Sequence, residues 1–231
     1  MVCYYGFFGF MSESLFFIQI LLVGMFTLGA FRLGASALTA WIVLLSIIAN
    51  LFVIKQVQLF GFEATASDAF ALGSMLGLNL LQEYFGKEKA KKTTWVCLYS
   101  IFFFALAAQL HLVFPASVHD RSQQAFHLIL SPSLRLFLAS LITFFISQRF
   151  DLLFFAFLQK KLPQKSFAFR SLISLIASQC VDTLLFSFLG LYGMVSAIFD
   201  VFLLSFMLKT LAIVLLTFFT RWTRRLHIQT T

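Results

Sequence analysis

Seven long apolar runs dominate the sequence and decide what it can fold into. They lie at about 15–31, 37–54, 60–81, 94–115, 133–158, 168–190 and 196–219. Crossing about 30 Å of hydrocarbon at a rise of 1.5 Å per residue takes roughly 20 residues, so these runs have the length of membrane spans. They lack the alternating pattern of about ten residues that is typical of an outer-membrane barrel. The runs therefore predict membrane-spanning helices, whose backbones satisfy their own hydrogen bonds in lipid.

Composition and charge support a membrane protein. Apolar residues make up 61% of the chain and charged residues only 11%, whereas a soluble domain is about half apolar and about a quarter charged. The net charge of +8 could suggest a nucleic-acid partner. The basic residues, however, lie between apolar runs and do not gather on one solvated face, so we expect the lipid bilayer as partner and no nucleic acid.

The third run is the weakest of the seven. Glu63 and Asp68 fall in its first half, and charged residues are rare inside membrane helices. We expect this helix to start late or to line a polar cavity.

Basic residues at the ends of the runs predict the orientation. If seven helices alternate, one side of the membrane receives twelve of the seventeen basic residues and the other three: Arg32, Lys87, Lys89, Lys91, Lys92, Lys160, Lys161, Lys165, Arg170, Arg221, Arg224 and Arg225 against Lys55, Arg121 and Arg135. Arg149 and Lys209 remain inside helices. The positive-inside rule makes the rich side cytoplasmic, with the N-terminus outside and the C-terminus inside.

The sequence thus predicts an all-α polytopic membrane bundle that forms a single transmembrane domain. Residues 1–36 would form an extra N-terminal helix, 37–220 a six-helix core and 221–231 a basic cytoplasmic tail. A signal peptide is the alternative for the first run, but only Glu13 and no basic residue precedes it, which favours a retained helix. Cys3, Cys97 and Cys180 have no paired spacing, so neither a disulfide framework nor a metal site is indicated, and we expect no cofactor.

The fifth and sixth runs contain a repeat. SLITFFISQRFDLLFFAF (140–157) and SLISLIASQCVDTLLFSF (171–188) align without gaps at a spacing of 31 and are identical at nine of eighteen positions. Consecutive helices run in opposite directions, and an inverted pair of like helices is the symmetry that many transporters use to hold a site near the bilayer midplane. Gln148 and Gln179 are eleven and ten residues from the basic boundary, about 15 Å deep each at helical rise.

Each repeat carries one polar stripe on an otherwise apolar helix. The stripes consist of Ser140, Ser147, Gln148 and Asp151 on one helix and Ser171, Ser174, Ser178, Gln179 and Asp182 on the other. Serine and amide side chains could simply join helices, for about 0.6 kcal/mol per hydrogen bond. A carboxylate at the bilayer centre costs about 2.5 to 3.5 kcal/mol on insertion scales, and such residues mark functional sites.

Two basic residues are candidate counterions for these carboxylates. Arg149 could pair with Asp151 or Asp182, and Lys209 lies deep in the last run. A purely structural ion pair is one interpretation, and a pair that breaks when substrate or a proton arrives is the other.

The motifs resemble those of the YhhQ-type queuosine precursor transporters, also called the vitamin uptake transporter family. The resemblance extends from about residue 41 to the end. It rests on Asn50 and Lys55, on Glu83 and Gly86 within LNLLQEYFGKEKAKK, on the Arg, Ser, Gln and Asp of the fifth run, on the polar stripe of the sixth and on Lys209. One departure is Leu78-Asn79, where the family has Thr-Asp, which puts in doubt any role that needs negative charge at residue 79.

The resemblance implies import of a 7-deazaguanine base, such as queuine or its cyano or aminomethyl precursors, for modification of transfer RNA. The donor edge of such a base suits a carboxylate, its oxygen suits an amide, and its flat ring suits aromatic side chains. We expect Asp182 or Asp151 at the donor edge, Gln179 and Gln148 at the oxygen and ring nitrogens, and Phe186 stacked on the ring. The implied substrate-binding residues are Asn50, Asn79, Glu83, Gln148, Asp151, Ser178, Gln179, Asp182 and Phe186, with Arg149 and Lys209 as coupling residues or counterions.

Two other functions compete with a self-sufficient carrier. An intramembrane enzyme is disfavoured because His111, His119, His127 and His227 lie away from the serine stripe and the two carboxylates differ in depth by about 7 Å. A substrate-binding subunit of an energy-coupling-factor-type vitamin importer remains the alternative, since no GxxxxGK[ST] loop is present for ATP hydrolysis. The partners would then include energy-coupling subunits, and for a lone carrier they would include at most a second copy of the chain. We expect a multi-pass protein of the bacterial inner membrane.

Overall fold

The computed structural model describes residues 2–53, 55–60, 62–65, 67–131, 134–191 and 198–219. In these ranges the chain forms eight α-helices, one two-stranded hairpin and one π-helical turn. They are α1 (Val2–Arg32), α2 (Ala35–Phe52), β1 (Gln56–Leu59), β2 (Phe62–Thr65), α3 (Asp68–Phe85), α4 (Lys87–Val113), α5 (Gln123–Leu130), α6 (Leu134–Lys161), α7 (Phe167–Phe186), the π-turn (Ser187–Leu191) and α8 (Ile198–Phe219).

Five of these helices are long and apolar enough to cross a membrane. The spans in the described residues are Met11–Arg32, Ala35–Phe52, Lys87–Val113, Leu138–Lys161 and Phe167–Gly190, and Ser205–Phe218 is a shorter apolar segment. A polytopic helical membrane protein is therefore confirmed. The count of seven spans and the orientation stay predictions.

The third apolar run, 60–81, is helical only in its later part, as expected for a helix that starts late. β1 and β2 pair antiparallel as a hairpin in which Leu59 lies opposite Phe62, so the connection between them is tight. Phe60 has φ 53°, as such tight turns require. The helix begins only at Asp68, as the two acidic residues had suggested, and the strand pair itself was not predicted. We call this end of the bundle the hairpin end, and the opposite end, which carries the connections at 32–35, 85–87 and 161–167, the basic end.

Helix α3 lies at the centre of the bundle and contacts α1, α2, α4, α6, α7 and α8. Two glycines four residues apart, Gly73 and Gly77, let one of its faces approach α1 and α2. A Cβ added at Gly77 would lie 2.8 Å from Ile42 Cγ1, and one at Gly73 would collide with Val23. This is the spacing of small residues that closely packed membrane helices use.

The polar stripes of α6 and α7 meet because these helices are antiparallel neighbours. The short connection between them ends at Ser166, whose side chain accepts a hydrogen bond from the Phe169 amide and caps α7. Helix α1 also belongs to the packed bundle: Ile20 and Val23 are buried, and Trp41 Nε1 donates to Thr27 Oγ1 at 2.9 Å.

Candidate functional site

The polar faces of α3, α6 and α7 form one buried cluster in the middle of the bundle. Its largest members are Asn79, Gln148, Asp151 and Gln179, each at most 1% exposed. Buried polar groups in an otherwise apolar bundle are costly unless they are hydrogen-bonded. The cluster must therefore be judged by which of its atoms have partners.

Asp151 is held by hydroxyls of the neighbouring helix. Ser174 Oγ donates to Asp151 Oδ1 at 2.6 Å and Ser178 Oγ donates to the same oxygen at 2.9 Å. Close by, Asn79 Nδ2 donates to Ser171 Oγ at 3.3 Å. These bonds fix the carboxylate of Asp151 and leave its second oxygen, Oδ2, without a partner among the described residues.

The two repeated amides contact consecutive residues of α3. Gln148 Nε2 donates to Ser74 Oγ at 3.5 Å, and Gln179 Nε2 donates to Met75 Sδ at 3.0 Å. Both amides therefore lie at one level of the bundle, which is the geometry that the repeat predicts. Both amides contact α3, and the structure shows no hydrogen bond between the two.

Each of the four largest members of this cluster has a buried oxygen with no hydrogen-bond partner among the described residues: Asn79 Oδ1, Gln148 Oε1, Asp151 Oδ2 and Gln179 Oε1. Leaving a buried acceptor unsatisfied costs about 1 to 3 kcal/mol. Native proteins rarely keep such a group without reason. We call these the acceptor cluster; it can receive N–H donors from a small molecule, and it offers one formal negative charge at Asp151.

A second cluster lies towards the hairpin end, where Lys209 of α8 meets two carboxylates. Lys209 Nζ is 3.0 Å from Asp182 Oδ2 and 3.8 Å from Asp68 Oδ1, and it also donates to Thr183 Oγ1 at 3.4 Å. We call Asp68, Asp182 and Lys209 the charged triad. Of the two suggested counterions, Lys209 is the one that holds Asp182.

At the basic end, Glu83 joins three helices. It forms an ion pair with Arg170 of α7 and accepts a hydrogen bond from Gln159 Nε2 of α6 at 2.8 Å. Gln82 Nε2 reaches Gln159 and the Leu152 carbonyl at 3.4 and 3.2 Å. Glu83 therefore links α3, α6 and α7 at this end and makes no hydrogen bond to the acceptor cluster.

The suggested ion pair of Arg149 with Asp151 or Asp182 is wrong. Its guanidinium lies over the rings of Trp95 and Phe145, 5.0 and 5.5 Å from their centroids. Arg149 follows Gln148 directly in α6 and so projects about 100° away from it around the helix. The cation is therefore stabilised by aromatic faces at the α4–α6 contact.

Two other predicted site residues lie at the margins. Asn50 accepts a hydrogen bond from Ser140 Oγ at 3.0 Å and donates to the Ser46 carbonyl, so it joins α2 to α6. Phe186 is half-buried and ends α7, four residues after Asp182. In the part of the chain that the structure describes, no three His, Cys, Asp or Glu side chains could hold a metal ion.

Sequence reasoning named Asn79 and Glu83 of α3 but missed Ser74 and Met75 of the same helix. Ser74 and Met75 are ordinary residues of an apolar run, and nothing in their spacing marks them as partners of the two amides. Asp68 was noted only because it weakens a hydrophobic run. Its charge next to the hairpin is the signal that could have identified it.

Comparisons with known proteins cover the helices that build both clusters. Residues 66–223 match the family described as "Putative vitamin uptake transporter". A curated protein of Bacillus subtilis (strain 168), named "Probable queuosine precursor transporter", is 30% identical over 163 residues, which are 69% of this chain and 71% of that protein. No solved structure matches the chain. With the membrane-length helices, these matches make the chain a multi-pass protein of the bacterial inner membrane.

Proposed function

The chain belongs to the vitamin uptake transporter family, and on that premise we propose that it imports a queuosine precursor, a 7-deazaguanine base, for modification of transfer RNA. The unpartnered oxygens of the acceptor cluster support this proposal most strongly. A 7-deazaguanine is rich in N–H donors, at the ring N1, the exocyclic amine and the five-membered ring. Four buried oxygens on three helices match a flat ligand with donors on several edges.

We assign the N1 and exocyclic-amine edge of the base to Asp151. Its Oδ1 is already oriented by Ser174 and Ser178, so its Oδ2 is presented in a fixed direction. A charged acceptor forms the stronger hydrogen bonds, and Oδ2 has two lone pairs for the two donors of this edge. Asp182, the alternative from sequence, has one oxygen bonded to Lys209 and suits the role less well.

The amides of Gln148 and Gln179 supply the remaining recognition. Their oxygens accept from the N–H of the five-membered ring and from the second N–H of the exocyclic amine, since both side chains lie at the level of Ser74 and Met75. Asn79 Oδ1 adds an acceptor on α3. Because residue 79 is an asparagine and not an aspartate, the acceptor cluster presents a single formal charge to the base, that of Asp151.

An assembly role is the competing proposal from sequence. A substrate-binding subunit of an energy-coupling importer would use the same acceptor cluster but depend on separate ATPase subunits. Uptake by the chain alone separates the two. The partners we propose for the lone carrier are the base and the lipid bilayer.

The test is rescue of queuosine in transfer RNA. A cell that can neither make nor import the precursors is given this chain and then queuine, the aminomethyl base or the cyano base in turn, and queuosine in transfer RNA is measured by mass spectrometry. We expect rescue with at least one base, and loss of that rescue on Asp151→Asn at equal expression. The matched control is Asp120→Asn, the same change in an exposed loop. Failure of every base with the unaltered chain would remove the proposed function.

A further inference from the structure

The charged triad is largely buried and has more acidic than basic groups. Two carboxylates, Asp68 and Asp182, face the single ammonium of Lys209, whose side chain is 11% exposed. When all three are ionised, the triad carries one net negative charge. Such a charge inside a membrane bundle is costly and favours uptake of one monovalent cation.

No other described charged side chain offsets this excess. Glu13 of α1 accepts from the Phe60 amide, and Asp151 of α6 is bonded to serines of α7. On α4 the charged residues lie at the helix ends, and on α2 there are none. The side chains of Glu63 and Asp200 lie outside the described ones.

Within the triad the two carboxylates are not equivalent. Asp182 Oδ2 is 3.0 Å from Lys209 Nζ, whereas Asp68 Oδ1 is 3.8 Å away. Coulomb attraction weakens with distance, so the carboxylate of Asp68 gains less from the ammonium. Asp68 Oδ1 accepts from Thr65 Oγ1 at 2.9 Å, and Oδ2 has no hydrogen bond to a described residue.

We propose that Asp68 binds and releases the proton that drives transport of the base. This inference rests on the proposed function, since it names the driving force of that same transport. A proton from water at the hairpin end bonds to Asp68 Oδ2, and the triad becomes neutral with Lys209 paired to Asp182. In the other conformation that O–H bond breaks, the proton passes to water on the basic side, and Lys209 stabilises the carboxylate that forms again.

Helix α3 connects this proton to the base. Asp68 is its first residue, Ser74, Met75 and Asn79 contact or belong to the acceptor cluster, and Glu83 makes the ion pair at the basic end. Protonation at one end therefore acts on the same helix that lines the proposed base site and forms the Glu83–Arg170 ion pair at the opposite end. The helix N-terminus favours the ionised carboxylate, which assists release of the proton.

The experiment uses the purified full chain in lipid vesicles with a pH-sensitive dye inside and labelled queuine or aminomethyl base outside. With one proton per base, an inward gradient of one pH unit sustains an about tenfold accumulation of base. We expect this accumulation, together with acidification of the lumen when base is added. Asp68→Asn should lower the ratio of uptake with the gradient to uptake without it to about one, because no proton is carried.

Infrared difference spectra of the protein between neutral and acidic pH give a readout that needs no base. We expect a protonated-carboxyl band in the unaltered protein, its absence in Asp68→Asn, and a shifted band with a retained gradient response in Asp68→Glu. Asp120→Asn is the matched control and should keep both signals, since hydrogen bonds from Ser122 lower the pKa of Asp120.

The outcomes separate this inference from the proposed function. Base uptake without any response to the gradient, or a gradient response that survives Asp68→Asn, overturns the proton role and leaves the transported base in place. An Asp68-dependent infrared band in a protein that moves no base supports the proton site and overturns the proposed function. A band that persists in Asp68→Asn and keeps its position in Asp68→Glu overturns Asp68 as the group that binds the proton.

Discussion

Removing the ammonium of the charged triad should cost far more stability than removing one of its carboxylates. At an effective dielectric constant of about 20, the attraction of Lys209 is about 5.5 kcal/mol to Asp182 at 3.0 Å and about 4.4 kcal/mol to Asp68 at 3.8 Å. Desolvation offsets much of both. Lys209→Met leaves two carboxylates without a cation, and breaking a buried pair in this way costs about 3 to 5 kcal/mol.

Asp182→Asn has the opposite effect on the charge count. It leaves one carboxylate and one ammonium, and Lys209 keeps Asp68 and Thr183 as partners. We expect a loss of about 1 kcal/mol, the size of one hydrogen bond. The double variant should lose less than the sum of the single losses, by about 1 to 3 kcal/mol, because the second change removes a charge that the first left unpaired.

The assay is thermal unfolding of the purified protein in one detergent, followed by intrinsic fluorescence. For a chain of this size, 1 kcal/mol corresponds to about 2 to 4 °C, so Lys209→Met should lower Tm by about 10 °C. Lys55→Met, an exposed lysine outside the helices, is the matched control and should leave Tm unchanged. Equal losses for Lys209→Met and Asp182→Asn, or strictly additive losses in the double variant, would show that Lys209 does not stabilise both carboxylates.

Three further variants test other contacts. Ser174→Ala removes a hydroxyl that donates to the buried carboxylate of Asp151. We expect a loss of about 1.5 to 3 kcal/mol in thermal unfolding and weaker binding of labelled base. Unchanged affinity for the base would contradict a binding role of Asp151. Gly77→Val places a side chain against Ile42 and should cost about 1 to 3 kcal/mol of stability by overpacking, measured from Tm. An unchanged Tm would mean that α3 and α2 are not in close contact. Arg170→Gln leaves Glu83 without its cation and should speed leakage of preloaded base from vesicles. If the ion pair closes the basic end, the double variant with Glu83→Gln should leak less than Arg170→Gln alone.

The repeat of 140–157 in 171–188 predicted more of the site than any other feature of the sequence. Spacing alone placed Gln148 and Gln179 at one depth, and both contact the same turn of α3. It could not show that α3 lies between them, because hydropathy reports whether a segment is apolar and not which neighbours it has. Nor could the sequence show that Gly73 and Gly77 allow α3 to pack closely against α1 and α2.

Partner choice and local backbone also lay beyond the sequence. Arg149 and Lys209 were both available to the carboxylates, and only the rotation of each helix decides that Lys209 meets Asp182 while Arg149 faces Trp95. The two strands, Gln56–Leu59 and Phe62–Thr65, overlap the start of the third run, which was defined by hydropathy alone. Their sequence signals are the alternation of polar and apolar residues at 56–59 and the glycine at position 61.

Transport of the base is tested most directly by uptake of labelled queuine and of the aminomethyl and cyano bases into vesicles that contain this chain and no other protein. We expect time-dependent uptake of at least one base, competed by the unlabelled form of that base. Asp151→Asn should reduce this uptake at least about tenfold, since one charge-assisted hydrogen bond is worth about 1.5 to 3 kcal/mol. Uptake that requires added ATPase subunits would contradict a self-sufficient carrier. Uptake of none of the bases under any condition would contradict the transport of queuosine precursors altogether.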